Sequence, residues 1–167
     1  MPISIRAMRV DDVSAVYAVQ AQVYVAAMVE PQSLLLERLQ VAPDTAWVAE
    51  DEAGVGAYLA GYPSVTGKIS PLGADFAPAS AANALYLHDM AVAPRLAGQG
   101  VAARLFEAAT QLARQRSYAA LCLVSVQNTL SFWQRFGFEQ ETMLTPEQEA
   151  LLATYSGSAY YCLRHLP

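Results

Sequence analysis

A chain of 167 residues can bury one substantial core and is too short for two ordinary domains without a visible linker, so residues 1–167 read as a single domain. Hydrophobic residues make up 54% and charged ones 15%, which excludes a disordered chain because burial can offset chain entropy. The formal charge of -5 argues against a nucleic-acid partner, since phosphate binding needs clustered Lys and Arg, and suits a cationic small molecule better.

The opening stretch, MPISIRAMRV, has no apolar signal core, and no window reaches a membrane-spanning length free of polar residues. The expectation is a cytoplasmic protein with no membrane partner. Residues 3–8 alternate like a strand, and Asp11 or Asp12 is placed to cap a helix over 13–28. Pro31 separates this from a second helix over 32–41, closed by Pro43 and Asp44. Its Leu34, Leu35 and Leu36 are either helix core or the wall of an apolar pocket. Strands follow at 45–50 and 55–65, joined by the turn DEAG as a hairpin.

Residues 66–83 are rich in Gly, Pro, Ser and Ala without a sustained period, which marks a long loop. The segment ALYLHDMAV is a strand; behind it stand a proline, two glycines and a helix with Val101, Leu105, Ala108, Ala109 and Leu112 at helical spacing. YAALCLVSV is apolar on both faces, as a central strand is. A short helix over 128–136 stops at Gly137, FEQET is a strand, Thr145 and Pro146 open another helix, and AYYCLRHL is the last strand. The order implies an α/β fold, a mixed sheet with helices on both faces.

Cys122 and Cys162 stand alone in apolar runs and read as buried free thiols. With His88 and His165 the only histidines, no metal site is expected.

The helix behind Gly98 and Gly100 exposes unpaired N–H groups at its start and can hold an anion with backbone alone. The glycines are equally compatible with a tight strand-to-helix turn and nothing more. The full dinucleotide fingerprint is missing. Two further segments separate these readings. MAVAPRLAGQGVAARLFEAA, followed after the next strand by SVQNTLSFWQRFGF and preceded by a strand hairpin, resembles the GNAT superfamily of acyl-CoA-dependent N-acetyltransferases. The resemblance runs from Ile3 to Leu166 and implies a mostly antiparallel sheet.

It also implies that the amides of Ala97, Gly98, Gln99, Gly100, Val101 and Ala102 hold the diphosphate of acetyl-CoA, the co-substrate. Ala97 replaces the usual Arg or Gln of that loop. Main-chain groups of Met90, Ala91 and Val92 take the pantetheine arm, with the Met90 amide beside the thioester oxygen as an oxyanion donor. Asn128 matches the coenzyme-contacting Asn, and Phe132 and Trp133 fill the aromatic stretch. Trp133 stands where many members carry a Tyr, and an indole N–H is no general acid. Tyr160 and Tyr161 read as packing residues, although one of them is a candidate substitute.

An ammonium must lose its proton before it attacks a thioester. Strand alternation places Tyr86, His88 and Met90 on one face and Leu87 and Asp89 on the other. His88 is the candidate base, in a pattern similar to LHALAV of the arylalkylamine N-acetyltransferase branch; the alternative is a core histidine satisfied by a backbone carbonyl. Tyr86 either joins a water relay or packs. Asp89, Glu30 and Tyr24 are candidates for the acceptor pocket. The expected function is acetyl transfer to a primary amine, with a small-molecule amine favoured as partner. A protein N-terminus or lysine as acceptor, and a catalytically inactive acyl-CoA-binding module, are the alternatives, and a homodimer is open.

Overall fold

The alternating and apolar runs become strands β1 (Ser4–Ala7), β2 (Ala46–Asp51), β3 (Gly54–Ser64), β4 (Ala84–Val92), β5 (Ala120–Ser125), β6 (Glu139–Gln140) and β7 (Tyr160–His165). The computed structural model describes residues 2–167 and joins these strands in one sheet ordered β1-β2-β3-β4-β5-β7-β6. Neighbours run antiparallel except β4 and β5. A parallel step needs a crossover, which the helix between those two strands supplies.

The helices are α1 (Val13–Val23), α2 (Gln32–Val41), α3 (Val101–Gln115), α4 (Leu130–Arg135) and α5 (Pro146–Leu152). On one face, Val16 and Val19 of α1 and Leu35 and Leu39 of α2 pack on Val48 and Tyr58. On the other, the apolar stripe of α3 through Val101, Leu105 and Ala109 lies on Leu59, Leu85 and Leu121, joined by Trp133 of α4. Trp47 belongs to this core, and Cys122 and Cys162 are buried free thiols.

α2 spans the expected residues, but the first helix stops at Val23, five residues short of its expected end. Tertiary bonds cause this. Tyr24 is extended, at φ -92° and ψ 149°, and a single tight turn follows over Ala26–Met28. The Gln20 amide grips the Glu30 backbone from both sides, donating to its carbonyl at 3.0 Å and accepting its N–H at 2.9 Å. Asp12 sits at the N-cap of α1 without capping it, because its carboxylate accepts from Arg6 and from the Arg9 amide instead. The helix expected from Asn128 begins at Leu130, since Gln127 and Asn128 are left-handed at φ 51° and 60°.

The most consequential departure lies in β4. Ala60 pairs with Asp89 and Gly61 with Leu87, leaving His88 as an extra residue, a β-bulge. The bulge shifts the alternation by one. Tyr86 and His88 remain on one face, their rings 6.4 Å apart, and Asp89 joins that face by accepting from the Tyr58 hydroxyl at 2.6 Å. Met90 crosses to the α3 side. The expectation that His88 shares a face with Met90 and opposes Asp89 is therefore corrected. At Gly61 a Cβ would meet the Tyr86 carbonyl, so the bulge also requires glycine on the facing strand.

Candidate active site

β4 pairs with β5 only from Ala84 to Leu87, against Ala120 to Leu123. Both strands continue past that point, so the sheet opens between them. On the β3 side the Ala93 amide donates to the Gly56 carbonyl at 2.8 Å. Strand alternation then turns the main-chain groups of Met90 and Val92 toward the opening and those of Ala91 toward β3. The Tyr24 hydroxyl, which donates to the Met90 carbonyl at 2.8 Å, agrees with this orientation. Of the three residues expected to present backbone there, Ala91 does not, because its N–H and C=O face the paired strand.

At the far end of the gap, Gly98 and Gly100 have φ of 76° and 74°, and a Cβ on either would meet nothing within 4 Å. Positive φ explains why the turn needs glycine, and the open space leaves its backbone approachable. The Ala97 amide, expected in the cradle, is not free, because it donates to the Pro94 carbonyl at 3.2 Å; among the described residues no protein acceptor takes the amides from Gly98 to Ala103, and the first helical bond runs from the Arg104 amide to the Gly100 carbonyl. Three free N–H groups at the start of a fifteen-residue helix add its partial positive charge to the loop. This is an anion cradle made of backbone.

A cavity of about 480 Å³ joins the cradle, the gap and a polar end at Glu30, His88 and Asp89. Ala97, Gly98, Gly100, Val101 and Ala102 line it, as do Met90, Phe132 and Trp133. Gln99 and Asn128 do not: the Gln99 side chain folds back onto the Arg95 carbonyl, and Asn128 occupies the left-handed turn between Gln127 and Thr129, which line the wall instead. Trp133 is buried among Phe106, Phe132 and Phe138. Tyr160 packs on the α3 side, while the Tyr161 hydroxyl accepts from the Gly67 amide; neither lines the cavity. The two phenols that do are Tyr24 and Tyr155.

At the polar end, Glu30 receives Arg38 Nη1 at 2.8 Å on one oxygen, and Arg38 Nη2 at 2.6 Å and the Gly73 amide at 2.8 Å on the other. His88 Nε2 lies 3.3 Å from Oε1. Burial alone would raise this carboxyl, but the bonds from His88 and Arg38 overturn that and hold it below the ordinary range. The His88 ring is 2% exposed, and its Nδ1 is buried without a partner. An ionised carboxylate only accepts, so Nε2 is the donor of the pair with Glu30. Burial raises the Asp89 carboxyl against the opposing Tyr58 bond, and it raises the Tyr24 phenol, reinforced by the nearby Asp89. Tyr86 lies outside the cavity lining, its hydroxyl accepting from the Ser70 amide at 3.2 Å. It is a packing residue under His88, not a member of the cavity.

Residues 14–138 match the acetyltransferase (GNAT) family. The chain belongs to that family. Among solved structures, Ard1 from Thermoplasma volcanium is 18% identical with a TM-score of 0.73, over 100% of this chain and 99% of its own. The loading GNATL domain of CurA from Lyngbya majuscula is 12% identical with a TM-score of 0.76, covering 99% and 98%. The PaiA N-acetyltransferase from Thermoplasma acidophilum, solved in complex with coenzyme A, is 13% identical with a TM-score of 0.70, covering 99% and 100%. At these identities the likeness is one of fold. No curated protein matches the sequence.

In this GNAT chain the glycine loop, His88, Tyr24 and Glu30, named from the sequence as candidates, line one cavity, and the sequence did not reveal what holds them there. Arg38 looks like any helix-surface arginine in LLLERLQ, yet its side chain is 3% exposed. Its Nε and Nη2 also reach the Ala74 carbonyl, tying the long loop to the site. Tyr155 donates to the Ser70 carbonyl at 2.6 Å and closes the same loop from the opposite side. No local signal distinguishes either residue. Among the described residues no group of three or more His, Cys, Asp and Glu could hold a metal, and no helix is long and apolar enough to cross a membrane.

Proposed function

We propose that this GNAT-family chain transfers the acetyl group of acetyl-CoA to a primary amine on a small molecule, in a ternary complex without an acyl-enzyme. The single observation that carries the reading is the continuity of the cavity: an unpaired amide cradle, an opened sheet edge and a buried His88–Glu30 couple lie along one channel. The amides from Gly98 to Ala103 suit a diphosphate, and Met90 and Val92 present main chain to an extended arm. The thioester supplies an activated acyl carbon.

His88 Nδ1 accepts the proton of the bound ammonium, directly or through a water, while Glu30 at Nε2 steadies the imidazolium that results. The amine nitrogen then attacks the carbonyl carbon, and the Met90 N–H stabilises the oxygen as its charge grows. Forming the C–N bond and breaking the C–S bond leaves a thiolate and an N-protonated amide, whose second proton passes to bulk water; water also takes the proton from His88 and returns one to the phenol that protonates the thiolate. Tyr24, whose O–H rests on the Met90 carbonyl in the free protein, turns from it to the thiolate and is the phenol that protonates it in place of Trp133.

A small acceptor fits better than a peptide because the 66–83 loop is pinned at Ser70, Gly73 and Ala74 beside the site. The test is an amine-library screen reading thiol release, beside calorimetry with acetyl-CoA. Release with any small amine supports the reading. Tight acetyl-CoA binding with no release from any amine would reduce the chain to a binding module, and absence of binding would end both readings.

A further inference from the structure

The acceptor end of the cavity holds two carboxylates and no free cation. Among the described residues that line the cavity there is no Lys or Arg; the acidic side chains are Glu30 and Asp89, with His88 between them. The nearest guanidinium, Arg38, spends its donors on both Glu30 oxygens and the Ala74 carbonyl and is 3% exposed. The Gly73 amide, the other donor at that corner, is also committed to Glu30. The open amides at the start of α3 lie at the opposite end, where the diphosphate needs them. Around the carboxylates the walls are Val23, Met28, Leu72 and Tyr155, whose hydroxyl is already donated to Ser70.

We infer that the acceptor is a primary amine with an apolar body and no carboxylate, so that amino acids are excluded as substrates. This deepens the acetyl-transfer reading and rests on it. The physical reason is an uncompensated charge. A substrate carboxylate carried into this end gives up its hydration, meets no positive partner and lies beside Glu30 and Asp89. An ammonium meets the opposite situation: it is purely a hydrogen-bond donor, and the carboxyl oxygens of Glu30 and Asp89 are acceptors. The apolar walls remove the hydrocarbon body from water.

Matched ligands isolate the carboxylate. The protein saturated with coenzyme A is titrated by calorimetry with 3-methylbutylamine, leucinamide and leucine, which share one side chain, and then with 2-phenylethylamine and phenylalanine. Each amine should bind at least about tenfold more tightly than its amino acid, and leucinamide should recover most of the leucine deficit because only the charge is removed. Leucine or phenylalanine binding as tightly as its amine overturns the inference, as does a leucinamide no better than leucine. Failure of both amines to bind overturns it as well. The underlying reading is scored separately, by the coenzyme A titration and by thiol release, so an enzyme that acetylates amino acids and a protein that binds no coenzyme give different results.

Discussion

Glu30 and Arg38 meet through two parallel bonds, Nη1 to Oε1 at 2.8 Å and Nη2 to Oε2 at 2.6 Å, with side chains only 5% and 3% exposed. A charge pair this deep is costly to break from one side, because the survivor keeps its desolvation and loses its partner. Arg38→Met should lower the unfolding free energy by about 3–5 kcal/mol in urea denaturation. The same change frees the Ala74 carbonyl, so proteolysis should first appear within residues 66–83. A loss under about 1 kcal/mol would contradict the pair's structural role.

The acid limb of stability carries the signature of Glu30. Its carboxyl is held below the ordinary value of 4.5, burial notwithstanding, by bonds from His88 and Arg38. Below that ordinary value the unfolded chain takes up protons that the folded one resists, so the contribution is full above pH 4.5 and fades as pH falls toward the folded value. Asp12, whose carboxyl is lowered chiefly by its bond from Arg6, adds to the same limb. The difference in unfolding free energy between the native protein and Glu30→Gln isolates Glu30. It should be flat above pH 4.5 and shrink below it.

Gly100 has φ of 74° and open space where a Cβ would stand. Gly100→Ala therefore strains backbone without a clash in the free protein, and stability should fall by about 1–2 kcal/mol. The added methyl projects into the open space proposed for the diphosphate. Calorimetry should show coenzyme A affinity reduced by about tenfold or more. Unchanged affinity would mean that the diphosphate binds elsewhere.

His88→Gln retains a donor for Glu30 and removes the ring nitrogen proposed as the base. The kcat should drop about a hundredfold, and the acidic limb of the kcat/KM profile should flatten, because no base remains to be protonated there. A profile of unaltered shape would return His88 to a core role.

Tyr24→Phe deletes the hydroxyl on the Met90 carbonyl and leaves the ring in place. Coenzyme A affinity should stay near that of the native protein while kcat falls by about tenfold to a hundredfold. An acceptor with a slower chemical step should show the larger loss. Equal activity in the phenylalanine variant would leave thiolate protonation to solvent.

Features governed by neighbours along the chain were legible in the sequence. α2 and β4 keep the limits read from their patterns, and the loop before α3 has the positive φ that Gly98 and Gly100 announce. Thr145 caps α5 with Gln148 in a reciprocal pair of bonds, as its spacing allows. These are short-range matters of dihedral preference, capping and apolar period, and a single segment contains all the physics involved.

What only the tertiary structure decided involves partners far apart in the chain. The bulge at His88 belongs to β3 and β4 together, so alternation within ALYLHDMAV could not reveal that Met90 leaves the face His88 occupies. α1 ends early because Tyr24 and Gln20 bond to Met90 and Glu30, and Arg38 is buried because Glu30 and Ala74 close around it. Asn128 turns out of the wall through a left-handed turn that a helical reading of the segment does not contain. In each case long-range hydrogen bonds outweighed a local preference, since a buried polar group must find its partner wherever the fold supplies one.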